Sequence, residues 1–139
     1  MKPAFLLDTN ILAEPLRPAP NPVVLLKLEE FESQLAIPAV VWHEMWFGCH
    51  RLPQSTRRSA IERYLLDVVA PSMPILPYDS AASEYHAVER ARLSRLGKTP
   101  SFADGQIAAI AHANELILVT LNRADFEAFH GLVVEDWRA

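Results

Sequence analysis

Four acidic residues stand where an ordinary solvated surface would not be expected to place them: Asp8, Glu44, Asp104 and Asp125. They come from four separate segments, so only the fold can bring them together. Carboxylates a few Å apart repel strongly in a low effective dielectric, and a hard divalent cation relieves that repulsion. All the ligands would be oxygen atoms, and the five histidines show no zinc-type spacing. The expected metal is therefore Mg²⁺, with Mn²⁺ as the alternative.

Asp8 ends the apolar run "FLLD" and precedes two small polar residues, Thr9 and Asn10. A carboxylate at the end of a buried strand is unfavourable unless a cation or hydrogen bonds satisfy it. The alternative is that Asp8 merely caps the helix that follows. Because Thr9 or Asn10 would cap that helix equally well without a charge, the sequence favours a role in a site.

Glu44 lies on a predicted helix among apolar neighbours. At helical spacing these neighbours are Val40, Val41, Phe47 and Gly48, which form an apolar stripe. We expect the stripe to face the core, where a glutamate has to be paired, metal-bound or protonated. The alternative is an ordinary solvated acid.

Asp104 and Asp125 also have structural alternatives. The segment "SFAD" has the form of a capping box, in which Ser101 and Asp104 satisfy the first amides of a helix. Capping and metal binding can coexist there, because the N-terminus of a helix favours an ionised carboxylate. Asp125 follows the apolar segment "LILVT", and its alternative is to cap a short helix, a role for which Asn122 competes.

Predicted strands and helices alternate along the chain, which indicates the α/β class: a mostly parallel central sheet of about five strands flanked by helices. The predicted strands are "FLLD", "QLAI", "MPILPY", "LILVT" and "LVVEDW". A length of 139 residues fits a single domain, 1–139. Ligands of such sheets bind outside the carboxyl ends of the strands, where we expect Asp8 and Thr120.

The composition limits the classes of protein. Half of the residues are hydrophobic and 22% are charged, as in ordinary globular proteins. The formal net charge of -4 weighs against general coating of nucleic acid but allows a local basic patch. No apolar run is long enough to span a membrane, and Asp8 and Glu14 interrupt what would be a signal peptide. The single cysteine, Cys49, excludes an internal disulfide and makes the cytoplasm the expected location.

Other side chains are candidates for contacts with partners. The helix of Glu44 has a second apolar face, made by Trp42, Trp46 and Cys49. A helix that is apolar on two faces is either buried or meets another chain, and plain burial, a second copy and a partner helix all remain open. Two basic clusters are candidates for binding an anionic polymer, with a solvated helix face as the alternative: Arg57, Arg58 and Arg63, and Arg90, Arg92, Arg95 and Lys98.

The segments that hold the four acids resemble the PIN-domain ribonucleases, and within them the VapC-type toxins of bacterial toxin–antitoxin pairs. "LLDTNIL" resembles the opening strand of that family, and "VVWHEMWFG" resembles the helix with its E-x-x-x-G pattern. "DGQIAAIAHANELILVTLNRADF" resembles its acid, small-residue helix, strand and T-x-N-x-x-[DE]-F motif, and "GLVVEDW" resembles its ending. The resemblance covers nearly the whole chain, with all motifs in order.

The resemblance implies a Mg²⁺- or Mn²⁺-dependent endoribonuclease that a cognate antitoxin protein keeps silent, and we expect a homodimer. A metal-activated water would attack the RNA phosphodiester and leave a 5′-phosphate and a 3′-hydroxyl. Asp8, Glu44 and Asp104 would hold one ion, and the fourth site residue is Asp125 or Asn122. The expected hydrogen-bonding neighbours of the acids or of the substrate are Thr9, Asn10, Thr120 and Asn122.

Two other interpretations predict different functions. A haloacid-dehalogenase-like phosphatase also places an aspartate after its first strand, but it needs a second aspartate two residues later, where this chain has Asn10. A catalytically silent PIN-like protein would bind RNA or a partner without cutting. Such a protein would lack one of the acids, and Asp8, Glu44 and Asp104 are all present.

Overall fold

The structure is a computed structural model and describes residues 2–138. Its strands are β1 (Phe5–Leu7), β2 (Leu35–Pro38), β3 (Ile75–Leu76), β4 (Ile117–Val119) and β5 (Val134–Glu135). They form one five-stranded sheet in the order β3-β2-β1-β4-β5, and every neighbouring pair is parallel. The predicted α/β class and parallel sheet are confirmed.

Helices connect these strands. They are α1 (Thr9–Leu12), α2 (Pro22–Glu30), α3 (Ala39–His50), α4 (Thr56–Arg63), α5 (Ala70–Ser72), α6 (Ser80–Arg95) and α7 (Phe102–Ala113). A π-helical segment joins α4 to α5, and 3₁₀ turns follow α1, α2 and β4: Tyr64–Val69, Glu14–Leu16, Glu32–Gln34 and Arg123–Asp125. None of the helices in residues 2–138 is long and apolar enough to cross a lipid bilayer.

Side chains in the sequence determine where the main helices begin. Asn21 starts α2 by accepting hydrogen bonds from the N–H groups of Val23 and Val24, at 2.9 and 3.1 Å. Asp79 starts α6 in the same way. These caps satisfy amides that have no partner inside the helix. The sequence predicts both starts, because Asn21-Pro22 and Asp79-Ser80 each place a capping side chain at the beginning of a helix.

The direction in which the sheet grows reverses at β1. Strands β2 and β3 are added on one side of β1, and the chain then crosses to the other side to form β4 and β5. In an open parallel sheet, this reversal leaves a crevice at the carboxyl ends of the two central strands. The crevice therefore lies between the ends of β1 and β4, next to Asp8 and Thr120.

The hydrophobic core explains why the two central strands are continuously apolar. Leu6 and Leu7 of β1 and Leu118 and Val119 of β4 have no exposed surface. Helix α7 contributes a run of buried small and branched residues, Ile107–Ala111. Small alanine side chains let a helix approach a sheet closely, so α7 is held firmly against the core.

The face of α3 that meets the core is only partly the predicted one, since Val41 is the one fully buried member of the predicted stripe. Its buried residues are Val41, Met45 and Cys49, whereas Phe47 is half exposed and the Glu44 side chain is 46% exposed. The prediction that Glu44 lies within a core-facing stripe is therefore wrong. Apolar residues surround nearly the whole of α3, so their spacing does not select one face, and packing against β2, α4 and α7 makes the selection instead.

Trp42 and Trp46, the second predicted apolar face of α3, are half-buried. Their rings meet edge to face with centroids 5.8 Å apart, and both pack against the hydrophobic core. Cys49, which was grouped with them, is fully buried. Burial in the core therefore explains the apolar character of Cys49. The indole rings of Trp42 and Trp46 remain partly exposed to solvent.

The predicted boundaries of two helices also change. The sequence predicts one helix from Ser55 to about Val69, whereas the structure has α4 followed by the π-helical segment and α5. The sequence also predicts a short helix from Ala124 to His130, and the structure has only the 3₁₀ turn Arg123–Asp125 there. This turn contains Asp125 and follows shortly after the end of β4 in the chain.

Candidate metal site at the ends of β1 and β4

Asp8 lies just past the carboxyl end of β1 and is 8% exposed. Its backbone N–H donates to the carbonyl of Val119 at 3.0 Å, which holds it against β4. Its Oδ1 accepts from the N–H of Thr9 at 2.8 Å and caps α1, and its Oδ2 accepts from the Thr120 hydroxyl at 2.8 Å. Burial raises the pKa of Asp8, and these two hydrogen bonds offset part of that rise. Capping and a place in the crevice therefore coexist.

The other predicted polar residues connect the loop after β4 to the start of α1. The side-chain oxygen of Asn10 accepts from the N–H of Leu121 at 3.1 Å. The N–H of Asn122 donates to the Thr120 hydroxyl oxygen at 3.1 Å, so that hydroxyl is fixed from one side while it donates to Asp8. Through the Thr120 hydroxyl, this network fixes Oδ2 of Asp8, and the Thr9 N–H fixes Oδ1, so the carboxylate has little freedom to rotate.

Asp104 lies in the first turn of α7. Its N–H donates to the Ser101 hydroxyl oxygen at 3.1 Å, so the predicted cap at Ser101 is confirmed. Burial raises the pKa of Asp104, a hydrogen bond with Ser101 lowers it, and the charges of Asp8 and Asp125 raise it further. The Asp104 carboxylate therefore experiences the negative charge of both other aspartates.

The start of α7 is positioned by close packing against α6. A Cβ atom on Gly105 would overlap the imidazole of His86, so only glycine allows this approach. His86 is buried, and its Nδ1 lies 2.7 Å from the Tyr78 hydroxyl. Its Nε2 is a buried nitrogen that has no hydrogen-bond partner among residues 2–138. The contact sets the position of the residue next to Asp104.

Asp125 and Asn122 were both candidates for the fourth site residue. Asp125 is exposed in the turn after β4, and its charge raises the pKa of both Asp8 and Asp104. Asn122 contributes its backbone N–H to the Thr120 hydroxyl. Asp125 thus adds negative charge to the crevice, while Asn122 supports the loop.

Glu44 approaches the crevice from α3 rather than from the sheet. Its Oε1 lies 3.5 Å from Nδ1 of His43, and its side chain shares the lining of a surface cavity with Thr9, the residue after Asp8. In the structure, the charge of Asp125 therefore acts on Asp8 and Asp104, and the charge of Asp8 acts on Asp104. Glu44 lies at the edge of the crevice, on the side of the cavity.

The donor set fits a hard cation in its chemistry and charge. It consists of carboxylate oxygens, and none of Asp8, Asp104 and Asp125 forms an ion pair with a basic side chain within residues 2–138. As they stand, no three His, Cys, Asp or Glu side chains of the described residues lie close enough together to hold a metal ion. Mg²⁺ usually keeps several of its waters and binds proteins through one or two carboxylates, so it does not require three carboxylates in direct contact with the ion.

Two buried acids were not identified from the sequence. Glu14 is 1% exposed and accepts two hydrogen bonds from Nη1 of Arg17, at 2.9 and 3.2 Å. Glu89 is 3% exposed and binds Arg92 and the N–H of His130. In both "EPLR" and "ERAR" an arginine follows the glutamate at i+3, which is the signal that was available. Both acids are neutralised and hold local structure.

The two basic clusters are partly committed to internal contacts. Arg92 pairs with Glu89 and also donates to the carbonyl of Ala128 at 2.6 Å. Arg58 pairs with Glu62 and donates to the carbonyl of Leu52 at 3.0 Å. These two arginines stabilise the fold, so neither predicted cluster acts as a whole as a free basic patch.

Known proteins similar to this chain share its architecture. The sequence model of the PIN domain matches residues 5–131. The tRNA(fMet)-specific endonuclease VapC of Shigella flexneri is 31% identical over 136 residues, which cover 96% of this chain and 97% of that protein. Toxin FitB of Neisseria gonorrhoeae (strain ATCC 700825 / FA 1090) is 30% identical over 136 residues, 96% of this chain and 98% of its own.

A solved structure gives the same result in three dimensions. The crystal structure of FitAcB from Neisseria gonorrhoeae matches this fold with a TM-score of 0.84 at 30% sequence identity, covering 94% of this chain and 95% of that one. These matches span the strand-end aspartate and the segment from Asp104 to Asp125, and they leave no basis for a haloacid-dehalogenase-like phosphatase. The chain belongs to the PIN-domain family, in its VapC-type branch.

Proposed function

We propose that this protein is a divalent-metal-dependent endoribonuclease and the toxin of a toxin–antitoxin pair. The reaction is hydrolysis of an RNA phosphodiester, in which water attacks phosphorus and the products carry a 5′-phosphate and a 3′-hydroxyl. Its membership of the VapC-type branch supports ribonuclease activity. The requirement for Mg²⁺ or Mn²⁺ is supported by the donor set.

The observation that carries the proposal is the convergence of aspartates at the reversal point of the sheet. Asp8 is buried there, Asp104 arrives at the N-terminus of α7, and Asp125 arrives after β4. The charge of Asp125 raises the pKa of the other two. Such mutual repulsion is unfavourable without a cation and becomes favourable when one binds.

The proposed ligands have separate structural supports. Asp8 is oriented by the Thr120 hydroxyl and Asp104 by the first turn of α7, while Asp125 strengthens the negative field. Glu44 completes the set from the cavity side. Bound Mg²⁺ or Mn²⁺ would lower the pKa of a coordinated water and neutralise charge that develops on the phosphate oxygens.

Thr9 and Asn10 are proposed to act on the substrate side of the site. The Thr9 N–H is used by Asp8, and Thr9 also lines the cavity beside Glu44, where its hydroxyl would serve as a donor for RNA. Asn10 fixes the loop after β4 through Leu121. These residues would hold the scissile phosphate against the carboxylates.

A cognate antitoxin protein and homodimer formation belong to the same proposal. The relative from Neisseria gonorrhoeae is named a toxin, and this supports a protein partner that keeps the activity silent until it is removed. The half-exposed Trp42 and Trp46 offer aromatic surface of the kind enriched in protein interfaces. The proposed location of the pair is the cytoplasm.

Digestion of total cellular RNA tests the proposal. Purified protein with Mg²⁺ is expected to produce discrete fragments with 5′-phosphate ends, and EDTA is expected to abolish them. Transfer RNA is included as a separate substrate, since the relative from Shigella flexneri is named for it. The Asp8→Asn variant serves as the matched control and is expected to lose at least two orders of magnitude in rate.

Two results would contradict the proposal. Cleavage that persists unchanged in EDTA, or in pure Asp8→Asn protein, would remove the metal and the strand-end aspartate from the reaction. RNA that is bound but never cut under any divalent cation would instead identify a catalytically silent member of the family.

A further inference from the structure

A cavity of about 690 Å³ lies between α1, α3 and α4 beside the candidate metal site. Thr9 and Glu44 form its end nearest the carboxylates. Its apolar part includes Leu16, Met45 and Ile61. Its volume lies within the range of sites for small ligands.

Gly48 keeps the cavity open. It lies in the last turn of α3, and a Cβ atom placed on it would have no neighbour within 4 Å. Its backbone is in the ordinary helical region, so neither a turn nor a close packing contact in residues 2–138 requires glycine there. Glycine lowers the stability of a helix relative to alanine. At this position, the missing side chain leaves space at the wall of the cavity.

The charge around the cavity is positive although the whole chain is acidic. Three arginines and one glutamate, Glu44, line it, against a net charge of -4 for the chain. Arg17 is neutralised by Glu14. Within residues 2–138, neither Arg51 nor Arg57 pairs with a carboxylate, and Arg51 lies over the ring of Phe47 at 4.8 Å. Two uncompensated guanidinium groups therefore border the apolar part.

We propose that this cavity binds one nucleotide of a single-stranded RNA substrate, next to the bond that is cut. The base packs on the apolar part formed by Leu16, Met45 and Ile61, and Arg51 and Arg57 bind the adjoining phosphates. The proposal rests on the ribonuclease function and adds a subsite to it. Arginine suits this role because its planar group binds phosphate oxygens in pairs.

The observations favour RNA over a helix of a protein partner. A docked helix needs an elongated apolar groove that takes side chains at i, i+3, i+4 and i+7. This cavity instead combines its apolar part with two arginines that pair with no carboxylate in residues 2–138, and it includes Glu44, one of the acids that we assign to phosphodiester hydrolysis. A base with a phosphate on either side matches that combination.

The binding experiment uses full-length protein with Asp8→Asn, so that RNA stays intact. The ligand is a fluorescein-labelled 12-nucleotide RNA of mixed sequence, and affinity is measured by anisotropy in Mg²⁺ between 50 and 250 mM salt. Gly48→Leu, which fills the cavity, is compared with Gly48→Ala. Arg57→Gln is compared with Arg63→Gln, an exposed change on the same helix outside the cavity.

Gly48→Leu is expected to weaken binding at least tenfold, while Gly48→Ala stays within about twofold. Arg57→Gln is expected to lower the slope of log affinity against log salt by about 0.7, the value for one lost phosphate contact on a single strand. Arg63→Gln should leave the slope unchanged. Thermal melting confirms that each variant is folded, and Arg51→Gln provides a second test if the leucine variant does not fold.

Parental affinity and slope in Gly48→Leu, Arg51→Gln and Arg57→Gln would overturn the proposal. If Gly48→Leu kept its RNA affinity but lost its complex with the antitoxin, the occupant would be a protein segment and the proposal would also fail. Metal-dependent cleavage by the unmodified protein is measured in parallel. If the unmodified protein cleaves RNA but the variants keep the parental RNA affinity and salt dependence, the subsite alone is refuted. If the unmodified protein does not cleave RNA at all, the ribonuclease function is refuted.

Discussion

At the scale of single residues, the buried Asp8 carboxylate destabilises the metal-free protein. Burial raises the pKa of Asp8 and of Asp104, and neighbouring aspartates raise both further. The pKa of each is thus higher in the folded chain than the ordinary value of 3.8. The stability contributed by such a group is fully present below the unfolded pKa and is lost as the pH rises through the folded pKa.

The metal-free Asp8→Asn and Asp104→Asn variants are therefore expected to be more stable than the parent protein at pH 7. This advantage should shrink as the pH falls, because the parent carboxyls take up protons as the pH passes down through their raised pKa values. Thermal melting from pH 4 to 7.5 measures it. Asp67→Asn, at an exposed position, is the matched control and should show no such trend. A parent protein that melts above both variants at pH 7 would contradict the argument.

The Thr120 hydroxyl links Asp8 to the loop after β4. Thr120→Val keeps the shape of the side chain but removes the donor to Asp8 and the acceptor for the Asn122 N–H. We expect a rate loss of about 10- to 100-fold, typical when a supporting hydrogen bond to a metal ligand is removed. The expected loss of stability is about 1–3 kcal/mol, from unsatisfied buried groups.

Cleavage rates well below the melting temperature separate the two effects of Thr120→Val. Thr120→Ser, which keeps the hydroxyl, is the control and should retain most of the activity. If the valine variant cleaved RNA as fast as the serine variant, the hydrogen bond to Asp8 would have no role in the reaction.

At the scale of secondary-structure elements, two helical glycines are expected to respond in opposite ways to the same substitution. Gly48→Ala adds a methyl group in open space and should stabilise α3 by about 0.5–1 kcal/mol. Gly105→Ala places a methyl group against the buried His86 ring, which is held by Tyr78, and should destabilise the protein by about 3 kcal/mol.

Chemical denaturation of the two alanine variants measures this contrast, with the parent protein as reference. Gly105→Ala should also reduce cleavage, because separating α6 from α7 moves Asp104 at the start of α7. A Gly105→Ala protein as stable as the parent would show that His86 withdraws easily and that α6 does not position α7.

At the scale of the whole molecule, an acidic chain has to bind an anionic substrate through a local site. The net charge is -4, and the basic residues are divided between internal pairs, such as Arg92 with Glu89, and exposed positions. Affinity for RNA should thus depend on a small number of phosphate contacts and on the metal, rather than on a general positive field.

Expression of the chain alone in bacteria is expected to stop growth, because uncontrolled RNA cleavage halts protein synthesis. Asp104→Asn should allow growth to a yield at least tenfold higher, and co-expression of the cognate antitoxin should restore growth to the parent protein. Growth rate and total RNA integrity are the measurements. Equal growth arrest by the Asp104→Asn variant would mean that the toxicity does not arise from this site.

Much of the fold was predictable because it follows from local pattern. The continuous apolar strands β1 and β4, the caps at Asn21, Asp79 and Ser101, and the parallel α/β arrangement all depend on residues close in sequence. The position of Asp8 after β1 follows from the same pattern. Capping as a structural role for Asp8 and Ser101 was also recognisable from the neighbouring residues.

The orientation of α3 and the pairing of buried acids depended on contacts between distant segments. The sequence of α3 is apolar on nearly every side, so only packing against β2, α4 and α7 decided that Val41 faces inward and Glu44 outward. Glu14 and Glu89 are buried because arginines one turn away neutralise them, which hydrophobic periodicity does not reveal.

The sequence by itself determined the fold class, the strand-end aspartate and the family resemblance, since each follows from residue types and short spacings. Only the tertiary structure decided that β1 and β4 are neighbours, and with that the bond between Thr120 and Asp8, 112 residues apart. It also decided that the charges of Asp8, Asp104 and Asp125 act on one another. The physical reason is that strand order is set by the burial of whole elements, which no local pattern encodes.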